Sequence, residues 1–332
     1  MSISVEICSD ADEWDELVER ASAASVFHRS SVLDVLDRHT EGTGYRLIGY
    51  KGQEPVGIFP VFELTKGGIT AVFSPPPRLG VPVLGPILFA NEQLKQRKYE
   101  QRNRRFIGAC LEWIEETLAP RYVRVCTTTE YADVRPFSWE EYTVSPRFTY
   151  TIDLTRDREA IKRSFSRTPR RNIDSDDGID FHITTRIDDG IRFVHEQIQS
   201  RYEAQGKTYT VPLEFLVDLS EETSPSTVQT YVGMVDDEPA AGIIALRDSD
   251  TVYFSEGGNK PDVDFSCNDR LHWKVICDAK EQGLSLYDLQ GANTPRICEY
   301  KSKFNPELRT YYELESGTPL MRFVSKLYRK IR

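Results

Sequence analysis

The stretches Ile48–Pro60, IGYKGQEPVGIFP, and Val232–Ile244, VGMVDDEPAAGII, follow one plan: a strand, a Glu-Pro turn, a glycine and a second strand. Gly49, Glu54 and Pro55 recur as Gly233, Glu238 and Pro239 at a constant offset, and Gly57 matches Gly242 after a one-residue slip. A duplicated hairpin needs a duplicated sheet to lie in, so this feature constrains the fold more than any single element.

The repeat extends in both directions. Upstream, SISVEICSD and IDFHITTR alternate as strands do, and each is followed by a segment of helical period, with Trp14, Leu17, Val18 and Ala21 on one face and Ile191, Val194, Ile198 and Tyr202 on the other copy's face. A second short helix is expected around Ser31–Arg38 and around Leu213–Leu219. Downstream, each hairpin leads to an apolar strand, ITAVFS or TVYFSE, and then to an amphipathic helix. Phe106, Ile107, Cys110, Leu111, Ile114 and Leu118 line the first of these helices. Leu271, Val275, Ile276 and Ala279 line the second, with Gly283 as its stop. RYVRVCT and LSLYDLQ follow as strands, and RFTYTIDL and LRTYYELE close the two copies. The organisation read from this is a first module over 1–155, a basic helical linker over 156–175, a second module over 176–316 and a basic tail over 317–332. The loop SPPPRLGVPVLGP is additional to the first copy and reads as a proline-rich surface loop or as a lid over a cleft.

Composition bounds the function. A length of 332 residues suits two domains, and 39% hydrophobic with 11% aromatic residues supports a packed core. The six cysteines have no paired spacing and the five histidines no metal-ligand spacing, so neither a disulfide framework nor a metal site is expected. The start lacks the basic and apolar regions of a signal peptide, and LGVPVLGPILFA is about half the length of a spanning helix. The expected location is cytoplasmic. A net charge of −10 argues against nonspecific binding to duplex DNA while permitting a local basic patch.

Three stretches carry a further signal: FSRTPRRNIDSDDGIDF, CNDRLHWKVICDAKEQGLSLYDLQGAN and EYKSKFN, in that order. Together with the element order, they resemble the FemABX family, whose members are two fused copies of the GNAT acyltransferase fold. Tyr300 and Asn305 depart from that family's usual Phe and Gly. The expected fold class is therefore α/β, with a mixed sheet in each of two tandem GNAT-like domains. The resemblance implies an acyl or aminoacyl transferase that forms an amide bond on an amine of a cell-envelope precursor. It implies no bound cofactor, a donor that is aminoacyl-tRNA or acyl-CoA, and a small-molecule acceptor linked to a lipid or a nucleotide. The alternatives are an acyl-CoA-dependent N-acyltransferase for an amino sugar or small amine, and a non-catalytic binding protein that keeps the cleft.

Such a transfer needs a neutral amine, a polarised carbonyl and close positioning of both. Glu256, on the strand before two glycines, is a candidate general base or a plain strand-end charge. Asp288, at the end of YDL, either orients or deprotonates an amine or caps the following turn. The resemblance makes Lys301 a phosphate-facing lysine that offsets negative charge, against a bland reading as a surface lysine beside Tyr300 and Phe304. Tyr253, Asn293, Tyr300 and Phe304 are candidate substrate contacts. Arg170 and Arg171, in the linker with Lys162, Arg163 and Arg167, meet phosphates of tRNA or of a nucleotide-linked acceptor, or else form a solvated helix face. GGNKPDVDFSCND lacks the glycine loop that usually cradles the pyrophosphate of acyl-CoA. The tail MRFVSKLYRKIR either rests peripherally on an anionic membrane or packs on the second module.

Overall fold

In the computed structural model, residues 2–89, 94–175, 181–185, 189–261, 263, 266–318 and 321 are described. Their contacts divide the chain into two units. One comprises the residues up to Arg147 together with the strand from Thr310, and the other comprises Phe148–Arg309. The basic tail lies almost wholly outside the described residues. No described helix is long and apolar enough to cross a membrane.

The N-terminal part contains β1 (Ser4–Ile7), α1 (Ala11–Glu19), α2 (Ser30–His39), β2 (Thr43–Lys51), β3 (Glu54–Lys66), β4 (Ile69–Ser74), β5 (Ile87–Leu88), α3 (Gln96–Leu118), β6 (Tyr122–Cys126), α4 (Arg135–Trp139) and β7 (Thr143–Asp153). The remainder contains α5 (Arg158–Ser164), α6 (Arg167–Asp174), β8 (Phe181–Thr184), α7 (Gly190–Glu203), α8 (Leu213–Glu222), β9 (Val228–Val235), β10 (Glu238–Arg247), β11 (Thr251–Asn259), α9 (Ser266–Glu281), β12 (Leu286–Asp288), α10 (Pro295–Lys301) and β13 (Glu307–Gly317). In the first unit the strands lie in the order β1-β2-β3-β4-β6-β13, and in the second in the order β7-β12-β11-β10-β9-β8. The one parallel pair in each path, β4–β6 or β11–β12, is bridged by the long helix α3 or α9, because parallel neighbours need a crossover.

The closing strands do not stay with the copies that precede them. β13 pairs with β6 of the first unit, Leu314 opposite Val125, while β7 pairs with β12 of the second, Ile152 opposite Tyr287. Glu313 of β13 is held by Arg124 at 2.9 Å and Arg147 at 2.6 Å. The expected boundaries at 155 and 316 are corrected to breaks within β7 and β13. Both strands have the same alternation, so side-chain pattern alone fits either sheet.

The duplicated hairpins are present with two corrections. The turns lie before the Glu-Pro pairs, which open β3 and β10. In the second hairpin the turn residues Asp236 and Asp237 both have positive φ, a turn backbone that Asp tolerates. The glycine slip changes face. Gly49 pairs with Gly57, and a Cβ on either would press into the Phe106 ring of α3. Gly233 faces Phe181, whereas Gly242, one register position on, makes room for Val194 of α7. Adjacent strand positions point to opposite sides, so Gly57 and Gly242 serve different packing surfaces.

The predicted helix faces form the cores. Phe106, Ile107, Cys110, Leu111, Ile114 and Leu118 pack on Leu47, Phe59, Val72, Val125 and Leu314 in the first unit. Leu271, Val275, Ile276 and Ala279 pack on Tyr231, Ile243, Val252, Tyr287 and Phe304 in the second. All six cysteines are free.

The extra proline-rich stretch is exposed at Arg78 and Gly80 in its middle but buried at both ends. Leu84–Phe89 is buried. Leu84 N donates to the Cys126 carbonyl at 2.9 Å, and β5 pairs with the start of β3. Gly85 donates to Ser74 Oγ at 3.0 Å, and its carbonyl faces Nε2 of the buried His28 at 3.3 Å. This segment fills the space beyond the ends of β4 and β6.

Candidate active site

Among the described residues, no strand like β5 pairs at the corresponding place in the second unit. β11 and β12 pair in parallel over Thr251–Leu286, Val252–Tyr287 and Tyr253–Asp288 only. β11 continues to Asn259 against β10, with Ser255 as an extra residue opposite the Ile244–Ala245 step. The chain after β12 instead follows β7, through Leu289 N to the Tyr150 carbonyl and Ala292 N to the Phe148 carbonyl, both 2.8 Å. The two parallel strands therefore part company beyond Tyr253 and Asp288. Ligands favour such crevices at the carboxyl ends of parallel strands.

Parting leaves carbonyls without ladder partners, and Lys301 takes them up. Its Nζ donates to the carbonyls of Leu289 at 2.7 Å, of Gln290, and of Gly291 at 3.4 Å. Lys301 is 8% exposed, and its Nζ lies 5.2 Å from the Phe254 ring centroid. Burial lowers its pKa to about 8, against the pull of Asp288 and Glu256. The lysine is thus no surface residue. Its three donors are directed at backbone, which corrects the expectation that it faces a phosphate.

Asp288 is equally committed. Its Oδ1 accepts from Thr149 Oγ1 at 2.6 Å and from Gln290 N at 2.7 Å, while burial pushes the carboxyl up. It caps the turn and fixes the strand end. Glu256 is different. Part of the residue reaches solvent, yet the protein packed around its carboxyl raises it to about 7. The Tyr209 hydroxyl and the charges of Arg201 and Lys301 pull it the other way. That hydroxyl is buried beside Glu256 without a formed hydrogen bond to any described residue. The structure therefore brings Asp288 and Glu256 each within electrostatic reach of Lys301, and of the two carboxyls that of Glu256 is the one not bound up in backbone.

The other candidates separate. Tyr253 is buried and donates to Asp248 Oδ2 at 3.0 Å within the β10–β11 hairpin. Asn293 spends both ends of its amide on the Phe148 backbone, each at 2.9 Å. Phe304 is a fully buried core residue, in edge contact with Phe165 at 5.3 Å. Tyr300 donates to Asp269 Oδ1 at 3.1 Å. These four hold the framework. Arg170 and Arg171 lie exposed on α6, as do Arg163 and Arg167 nearby, whereas Lys162 pairs with Asp174 at 2.7 Å.

Several participants gave no clear sequence signal. His272 is buried among Phe254, Tyr287, Tyr300 and Phe304, with Nδ1 2.8 Å from the Tyr287 hydroxyl. Burial and the nearby Lys301 charge drop its pKa to about 3, so it is neutral. Asp269 is 3% exposed in the first turn of α9 and accepts from Asn172 Nδ2 at 2.6 Å. Arg270 reaches back to the carbonyls of Asn172 and Ser175 at 2.8 and 3.0 Å. The first turn of the central helix therefore carries a buried carboxylate. The described residues contain no cluster able to hold a metal ion.

Residues 161–302 match the family model described as "Acetyltransferase (GNAT) domain". Among solved structures, the chain resembles the crystal structure of FemX, with 10% identity, 98% of this chain and 100% of that one covered, and a TM-score of 0.71. It also resembles L-PGS from Bacillus licheniformis, with 12% identity, 97% of each chain and 0.54. A tandem GNAT protein from the clavulanic acid biosynthesis pathway matches with 7% identity, 94% of this chain, 98% of that one and 0.54. No curated protein matches by sequence. Residues 161–302 thus match a GNAT acetyltransferase domain, and the fold of the whole chain is like that of these solved structures. The chain's fold is similar to that of FemX and of a protein described as a tandem GNAT protein.

Proposed function

We propose that the second unit transfers an acyl or aminoacyl group to an amine of a cell-envelope precursor, and that Glu256 removes the amine's proton. The observation that carries this reading is the Glu256 carboxyl, raised to about 7 where β11 and β12 part. A base with a pKa near the working pH is both available and strong enough to accept a proton. The Lys301 charge and the Tyr209 hydroxyl both pull it back down, against burial.

An aminoacyl-tRNA donor is favoured over acyl-CoA. Asp269, buried in the first turn of α9, puts a negative charge at the helix end that would meet a pyrophosphate, and that charge opposes a second anion. The exposed Arg163, Arg167, Arg170 and Arg171 offer a surface to phosphates. The first unit acts as scaffold and acceptor side, in keeping with the buried segment beyond β4 and β6. The acyl-CoA reading is retained because the matched family model is that of an acetyltransferase domain. Its acceptor would be an amino sugar or a small amine. Incubation of the protein with charged tRNA or acetyl-CoA and an extract of envelope precursors tests the proposal. Amide product should form with charged tRNA and be lost in Glu256→Gln. Product that forms equally well in Glu256→Gln would overturn the role of Glu256.

A further inference from the structure

One residue at the parting of β11 and β12 carries two local penalties. Gln290 has φ of 53°, a left-handed backbone that a side chain other than Gly or Asn seldom adopts. It is also 9% exposed, and its side-chain Nε2 is buried without a hydrogen-bond partner among the described residues. An unmet donor of this kind weakens a fold. The backbone of Gln290 is fixed on both sides, its N–H by Asp288 and its carbonyl by Lys301. Only the side chain is left unsatisfied. Local violations of this sort collect where a ligand completes the arrangement.

The neighbouring chemistry narrows what that ligand brings. A buried N–H requires an acceptor oxygen. Lys301 would be the obvious partner for a negatively charged oxygen, but its three donors already meet three carbonyls. We propose that Gln290 is a catalytic residue whose side-chain amide donates to the carbonyl oxygen of the acyl donor as that oxygen becomes an oxyanion. This rests on the transfer reading given above. The amine lone pair forms the new C–N bond while the carbonyl π electrons move onto oxygen, held by Gln290. The proton released from nitrogen goes to Glu256. Collapse of the tetrahedral intermediate re-forms C=O and breaks the bond to the donor's ribose oxygen or thiol sulfur, which takes up that proton. An ester or thioester plus an amine thus gives an amide plus an alcohol or thiol, with nothing oxidised or reduced.

Gln290→Met keeps the side chain's length and removes the donor. In the ligand-free protein its Tm should stay level or rise by roughly 2–4 °C, as expected when a buried unmet donor is deleted. A fall of that size would mean that the amide has a structural partner, and would overturn the proposal without touching the role of Glu256. The second measurement uses acetyl-CoA and a minihelix RNA with an amide-linked amino acid as hydrolysis-stable donors. The nitrogen-15 side-chain resonance of Gln290, assigned by its loss in Gln290→Met, should move with the donor that raises Tm. In turnover, kcat of Gln290→Met should fall roughly 10²–10³-fold with KM little changed, while the pH limb set by Glu256 stays in place. A donor that raises the Tm of wild type and Gln290→Met alike, with the resonance unmoved, would refute Gln290 and leave the transfer reading standing. If neither donor changed the Tm of the wild type, the transfer reading would fail and Gln290 with it.

Discussion

At the scale of single residues, burial decides which ionisable groups are available for chemistry. Glu256 has a folded pKa of about 7 against an ordinary value of 4.5. The folded state therefore holds its proton more tightly than the unfolded chain between those values, and stability falls as pH rises through that window. Glu256→Gln should flatten this decline, so that the variant gains on wild type between pH 5 and 8 in denaturant titrations. The same substitution should cost about 10²–10⁴ in transfer rate and abolish the activity limb near pH 7. An unchanged pH profile would mean that the base lies elsewhere. The buried histidines act in the opposite direction. His28 is lowered from 6.5 to about 4 and His272 to about 3, both chiefly by burial. Each contributes stability that is complete above about pH 6.5 and is lost as pH falls towards its folded pKa. His28→Asn should therefore shrink the acid-induced loss between pH 6.5 and 4, measured by equilibrium unfolding. A loss of undiminished size in this variant would contradict the assignment.

At the scale of elements, the exchanged strands give a crossed prediction. Leu314→Ala, near the C-terminus, should remove about 2–5 kcal/mol from the first unit and expose the β6 amides to hydrogen exchange. Ile152→Ala, far earlier in the chain, should weaken the second unit by a similar amount and expose β12. Protection lost in the opposite pairing would contradict the topology. The duplicated hairpins, both amphipathic long helices and the helical linker were legible because period and turn residues are local properties. Partner choice for β7 and β13 was not, because it depends on contacts between residues distant in sequence. The same reason hid the burial of Leu84–Phe89, which closes a proline-rich run that reads as surface punctuation. Strand position made Glu256 and Asp288 candidates, and the family resemblance made Lys301 one. Both left open which of them has a free side chain, since the answer lies in the carbonyls of Leu289, Gln290 and Gly291. Tyr209 and Gln290 stayed hidden because an unmet hydrogen bond has no sequence signature.

At the scale of the whole molecule, the two units share a plan but differ at one place. In the first, the chain packs its own segment beyond the parallel pair, with Leu84 bonded to Cys126. In the second, β11 runs on past β12 and leaves Glu256 beside the parting strands. Transfer by the second unit, with the acyl group supplied by a phosphate-rich donor other than CoA, is the central proposal. The most direct measurement is the Tm of the full chain with saturating acetyl-CoA and, separately, with the amide-linked aminoacyl minihelix. A ligand at about 100 times its Kd adds about 2.7 kcal/mol, which is readily seen as a shift. The minihelix should raise Tm, the rise should vanish when Arg170 and Arg171 are both changed to Glu, and acetyl-CoA should leave Tm unmoved. A rise with acetyl-CoA and none with the minihelix would contradict the account.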